Sequence, residues 1–233
     1  MTKPALAHRN GALRATVIGG LIACLTFCTI LLSGCAGPSP TDVSKEFFDA
    51  VKQDNTDTLQ KTYSGEDSNL FKSLENEEMN ALSQEENTSE TSAQLQSEMD
   101  NTLLPKLRDF DYELSNEQIN GDSATVDVKI TTYAVGDAIS SALNDYLSQG
   151  FTMALSGSSE EDLTNFAMQT FIDKFNNMEK SYTGTATVSL SKVDGNWKVD
   201  PIAGNSDLAD LLSGGLLSYA SSVQTATQAS NAD

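Results

Sequence analysis

The chain has 233 residues, with 14 Lys and Arg against 33 Asp and Glu, a formal net charge of −19 and 39% hydrophobic residues. That acidity excludes a nucleic-acid surface, which needs clustered Lys and Arg to meet phosphate, and it opposes lying flat on anionic lipid. The one histidine, His8, and all three cysteines fall at or before Cys35, so the remainder has no imidazole or thiol with which to build a catalytic triad, a zinc site or a disulfide.

The first fourteen residues carry Lys3, Arg9 and Arg14 and no acid. Ala15 to Leu32 is almost wholly apolar and closes on Ser33-Gly34-Cys35, the layout of a secretory signal. Leu32-Ser33-Gly34-Cys35 resembles the bacterial lipobox in all four positions. The resemblance implies cleavage between Gly34 and Cys35 and a diacylglyceryl thioether on Cys35, which would hold the protein on the outer face of a membrane. The alternative is an uncut apolar run spanning the bilayer, for which about 20 residues suffice. Cleavage would remove three bases, no acid, His8, Cys24 and Cys28. The expected layout is thus a signal peptide at 1–34 and a lipidated tether at 35–40. One α+β domain is expected at 41–223, long enough to bury a core, and a disordered tail at 224–233.

Ser39-Pro40-Thr41-Asp42 reads as a helix start, with Ser39 as the cap, Pro40 in the first turn and Asp42 at the positive end. Val43, Phe47, Ala50 and Val51 recur at helical spacing, and Asp54-Asn55 breaks the run. Thr56 to Tyr63 predicts a second short helix with Leu59 and Tyr63 on one side. Gly65 to Pro105 is rich in Glu, Ser, Asn and Gln, with apolar residues at Leu70, Phe71, Leu74, Met79, Leu82, Leu95, Met99, Leu103 and Leu104. This predicts two thin-faced helices around a Gln84 to Thr91 link. Its Glu cluster lacks the alternating loop that shapes a calcium site, so no metal or cofactor is expected.

From Asp109 the period changes to two. Phe110, Tyr112 and Leu114 alternate with Asp111, Glu113 and Ser115. After Asn120-Gly121, a hairpin signal, Ala124, Val126, Val128 and Ile130 alternate with Thr125, Asp127, Lys129 and Thr131. Ala186, Val188 and Leu190 repeat the pattern, and Asp194-Gly195-Asn196 turns that strand into Trp197-Lys198-Val199. These are four antiparallel-type strands, each with one apolar and one wet face. Between the second and third, Asp137 to Leu147 predicts a helix with Ile139, Leu143 and Leu147 on one stripe. A capping box of Ser158 and Glu161 opens a second helix, Ser159 to Lys180, with an apolar face including Leu163, Phe166, Phe171, Phe175 and Met178. A last helix follows Asn205-Ser206 through Leu208, Leu211, Leu212, Leu216 and Tyr219, weakened by Gly214-Gly215, and fraying is expected from Ser221.

The lipobox, Phe47-Phe48, the Asp-Asn turn, Ile119-Asn120-Gly121-Asp122-Ser123-Ala124-Thr125-Val126 and Asp194-Gly195-Asn196-Trp197-Lys198-Val199 come in a familiar order. Together they resemble small bacterial lipoproteins with nuclear transport factor 2-like (cystatin-like) domains. The resemblance implies an α+β fold in which a curved antiparallel sheet of about four strands packs against helices as a cone. The pair of helices at about 137–180 departs from that pattern as an insertion. Enzymes of that fold usually work with Asp/His pairs or a Tyr-Asp set; the histidine is missing here, and catalysis is not expected. The candidate lining of a cone is Tyr112, Tyr133, Tyr182 and Trp197, each of which also suits plain core or rim packing. Three functions follow: a module binding a small ligand or an envelope partner, an interaction module of the envelope without a pocket, or a carboxylate-dependent glycan hydrolase.

Overall fold

The computed structural model describes residues 37–65 and 97–230. The leader, Cys35 and Ala36 of the tether, most of the Glu-rich stretch and the last three residues lie outside the described residues. Among the described residues no helix is long and apolar enough to cross a membrane.

Helix α1, Pro40–Gln53, starts as its sequence dictates: the Ser39 hydroxyl accepts the Asp42 N–H, and the Asp42 carboxylate accepts the Ser39 N–H in return. It stops at Asp54, which takes a left-handed conformation (φ 54°). Helix α2, Thr56–Thr62, is capped by Asn55. A π-helical turn, Met99–Leu103, leads into the short α3, Leu104–Arg108. The strands follow as β1 (Asp111–Asn120), β2 (Ser123–Thr132), β3 (Tyr182–Val193) and β4 (Asn196–Val199). They form one antiparallel sheet in the order β1-β2-β3-β4. Asp194 and Gly195 both have positive φ (52° and 80°), the geometry of the tight turn that suits strand twist.

The fold is α+β, with helices on one face of the sheet. Val126, Val128, Ile130, Ala186, Val188, Leu190 and Val199 bury their side chains there against Phe47, Phe48 and Val51 of α1, against Leu104 and Leu107 of α3, and against Leu208 and Leu211 further on. Phe47 and Phe48 meet edge to face at 5.1 Å, and Phe48 meets Phe110 the same way. Each fully buried side chain of this size is worth about 1.5–3 kcal/mol. The other face is wet, carrying Thr125, Asp127, Lys129, Thr185, Thr187 and Ser189, none of them buried. β1 has one extra residue between Ser115 and Gln118, absorbed by Asn116 at φ 54°. Its amide donates to Asp127 at 2.9 Å.

The segment between β2 and β3 departs from expectation in three ways. Helix α4 runs Val135–Asp145, a π-helical turn occupies Tyr146–Gly150, and α5 is Phe151–Leu155. α4 buries Val135, Gly136 and Ala142, whereas Leu143 and Leu147 are exposed. Helix α6 runs Glu160–Asn176, and its capping box is Ser159 with Asp162, one residue later than predicted. Both serines have an acid three positions on, but Ser159 has the extended backbone of a cap (ψ 163°) and Asp162 bonds both its N–H and its hydroxyl. Only Thr170, Ile172 and Phe175 of α6 are buried, because the helix packs on α4 and the π turn, where Tyr146 stacks on Phe166.

Gly214-Gly215 does more than weaken a helix; it divides two. α7 is Ser206–Leu212 and α8 is Leu216–Ser230, so helix continues past Ser221, where fraying was expected. Both glycines have positive φ, and a Cβ on Gly215 would sit 2.8 Å from the Tyr182 ring. The break lets Gly136 donate to the Gly214 carbonyl at 3.0 Å.

Candidate functional site

Each of the four aromatic candidates is occupied in holding the fold. Tyr112 on β1 packs on Phe48 at 5.1 Å, and its hydroxyl donates to Asp49 of α1 at 2.6 Å. Burial, then the Asp49 carboxylate, pushes that hydroxyl far above the ordinary tyrosine value. Burial alone would raise the Asp49 carboxyl, but hydrogen bonds from Lys45 and Tyr112 outweigh it and hold the carboxyl below its usual value.

Tyr133, just past β2, donates to Asp109 at 3.2 Å, and the Lys106 ammonium lies 5.1 Å above its ring. Lys180 closes this cluster with bonds to Asp109 at 3.0 Å and Asp111 at 3.1 Å. The Lys180 bond is the main cause holding the Asp109 carboxyl low. Tyr182, at the start of β3, donates to Asp210 of α7 at 2.6 Å; Asp210 also accepts the Ser218 N–H and hydroxyl from α8. Trp197 on β4 shares a face with Leu190 and Val199, but at the sheet's rim. It is half-buried, opposite Lys192, whose ammonium lies 4.8 Å from its ring.

The four residues therefore do not converge. The inner face of the sheet is filled by Phe47, Phe48, Val188 and their neighbours, and three open clefts among the described residues are lined by other residues. A cone with an open mouth lined by Tyr112, Tyr133, Tyr182 and Trp197 is not what the chain builds. The predicted lipidation residue, Cys35, lies outside the described residues. Among the described residues no group of three or more Asp, Glu, His or Cys is placed to hold a metal.

Two features escaped the sequence reading. The first is an apolar ridge on the α4–α5 arm: Leu143, Leu147, Phe151 and Leu155 are 37%, 58%, 66% and 75% exposed. A spacing of four drifts by about 40° per step around an α-helix. The π turn at Tyr146–Gly150, with its wider ring, offsets part of that drift. Its signal in the sequence is the repeat itself, together with the absence of any Lys or Arg between Lys129 and Lys174, where six acids stand. The second is an open cleft of about 660 Å³ between β3 and the segment from Val199 to Leu208. Its signal is unequal strand length, since β3 has 12 residues and β4 has four.

This geometry places the chain in the class of open antiparallel sheets with helices on one face. No family model matches the sequence, and no curated protein matches it. In fold it is similar to YcdA of Bacillus subtilis subsp. subtilis str. 168, described with its crystal structure as a "putative lipoprotein". The two are 15% identical with a TM-score of 0.50, over 75% of this chain and 55% of that one. This chain thus spans about half the length of the structure it matches.

Proposed function

We propose that this protein is a lipoprotein, anchored through Cys35 at the extracytoplasmic face of a bacterial membrane, and that its domain is an interaction module for an envelope protein rather than an enzyme. The kinship with nuclear transport factor 2-like domains belongs to the same reading, with the cone filled. The observation that carries it is the ridge of Leu143, Leu147, Phe151 and Leu155. Contiguous exposed apolar side chains rimmed by polar ones are how a soluble surface meets a protein or a membrane. The acids that flank this ridge in sequence, Asp137, Glu160, Glu161, Asp162 and Asp145, the last paired with Lys174 at 2.7 Å, oppose an anionic membrane and favour a partner whose apolar surface is edged with Lys or Arg.

Two points support binding over catalysis. Among the described residues the inner face of the sheet is filled by core side chains, and the clefts beside it are open to water, which a reaction site usually excludes. A glycan hydrolase needs a carboxyl raised toward neutrality to act as general acid, yet every described carboxyl whose value is displaced moves down: Asp42, Asp49, Asp109, Asp127 and Asp162.

The test has two arms, both in cells producing the full chain. An alkyne fatty acid should label the wild type and not Cys35→Ser; equal labelling would refute the anchor. A photo-crosslinking residue at Phe151 should join one envelope protein, and the same residue at Glu113 on β1, at the far edge of the sheet, should not. Adducts to lipid alone, or equal adducts at both positions, would refute the module.

A further inference from the structure

We infer that the outer edge of β3, from Thr183 to Ser189, takes up an extended Lys- or Arg-bearing segment of a partner protein as an added strand. Lys192 of β3 donates its N–H to Asp122, toward β2. Alternation then turns the even-numbered residues of β3 to β2 and the odd-numbered ones the other way. β4 meets only Leu190 to Val193. Past its end the chain veers off, and two single bonds remain: the Asp200 N–H to the Ser189 carbonyl at 2.9 Å, and the Asn205 side-chain amide to the Thr187 carbonyl at 2.8 Å. The N–H of Thr187 and both main-chain groups of Thr185 face the cleft, with no hydrogen bond to any described residue. Unpaired strand edges of this kind are templates for another strand.

The two edges of the sheet are treated differently. β1, at the far side, is protected by its bulge at Asn116 and by Asp111, Glu113 and Glu117, the ordinary defences against unwanted pairing. Tyr182 to Leu190 carries no charge, no proline and no bulge. The unguarded edge is the one that opens on the cleft.

Charge selects the occupant. The cleft is lined by Asp200 and Asp207 and by no Lys or Arg, and the whole chain carries −19. A second copy would set Asp200 and Asp207 against their equivalents and bring two like-charged chains together, which costs association. A segment with Lys or Arg at alternate positions pairs its main chain with Thr185 and Thr187 while meeting those carboxylates. This site is distinct from the ridge on the α4–α5 arm.

The probe is a fluorescein-labelled, end-blocked peptide of four Thr-Lys repeats, titrated by anisotropy with the full chain in detergent. Expected is saturable binding that weakens with salt. The same peptide N-methylated at every residue keeps its charge but has no main-chain donor on either edge, and should bind several-fold more weakly, the worth of the one bond to the Thr185 carbonyl. Asp200→Asn with Asp207→Asn should weaken the unmethylated peptide several-fold, and Thr187→Pro, which removes one free N–H, likewise. Absence of binding overturns the proposal. So does equal binding of the methylated and unmethylated peptides, which means charge attraction alone. A dimer of the chain abolished by Thr187→Pro overturns it in favour of self-pairing.

Discussion

The carboxylate of Glu117, on β1, accepts the main-chain N–H of Thr41, in the first turn of α1, at 2.8 Å. The bulge at Asn116 puts it there, since the extra residue offsets the strand between Ser115 and Gln118. The first N–H groups of a helix have no partner within it, and Ser39 takes only that of Asp42. Glu117 thus supplies a second cap, 76 positions away in sequence, and a negative charge at the positive end of the helix dipole. Glu117→Ala should cost about 0.5–1.5 kcal/mol in urea unfolding. A loss within error would show that Thr41 is equally well served by water.

The sheet's two faces should respond unequally to substitution. Ile130→Ala, on the buried face, should cost about 2–5 kcal/mol. Lys129→Ala and Thr185→Ala, on the wet face, should stay within about 0.5 kcal/mol. Reversed ranks in denaturant titrations would mean that the register is wrong, because a slip of one residue exchanges the faces.

What could be read from the sequence was local or periodic. The alternation through Val126, Val128 and Ile130 declares which face of β2 is buried, and Ser39-Pro40 declares where α1 begins. Capping was readable only to within a residue, because Ser158 and Ser159 are both followed by acids at the right distance. The candidate site stayed open between lining and packing for a physical reason. Tyr112, Tyr133, Tyr182 and Trp197 each have a large apolar body and a polar tip, which suit a ligand and a structural hydrogen bond equally. Only the folded chain shows Asp49, Asp109 and Asp210 waiting for the three tyrosines. The ridge was missed because apolar residues at helical spacing normally mean burial. Here the arm packs on itself and leaves Leu147, Phe151 and Leu155 outside.

The Tyr112–Asp49 and Lys180–Asp109 pairs fix the sign of a pH effect. Asp49 and Asp109 have folded values below the usual 3.8. Their contribution to stability is therefore present above that value and is lost as pH falls through the lower folded values. Tyr112 moves up from 10.0, so its contribution is present below that value and lost as pH climbs beyond it. Relief of net negative charge on acidification acts on every variant alike, so the comparison is between wild type and mutants. Asp109→Asn should flatten the acid limb of thermal stability below pH 3.8, and Tyr112→Phe should flatten the alkaline limb above pH 10.0. Limbs unchanged in both variants would show that these pairs are not held in solution.

The ridge makes the strongest demand on the structure, because it asks that large apolar side chains contribute little to folding. Leu155 is 75% exposed and Leu147 58% exposed. Neither side chain gives up much water contact when the chain folds, and area-based burial energy therefore predicts a small return. Phe175, on α6, which packs against α4, is buried. Leu147→Ala and Leu155→Ala should each cost no more than about 0.5 kcal/mol, whereas Phe175→Ala should cost about 3–5 kcal/mol. Leu155→Lys should leave stability equally untouched and reduce self-association or adsorption of the purified protein, since it breaks an apolar line. A loss of about 2 kcal/mol or more from Leu147→Ala would mean that the ridge is covered within the chain itself, and its claim to a partner would fall. The small loss expected at Leu147, beside the large one at Phe175, separates a surface kept for binding from a core.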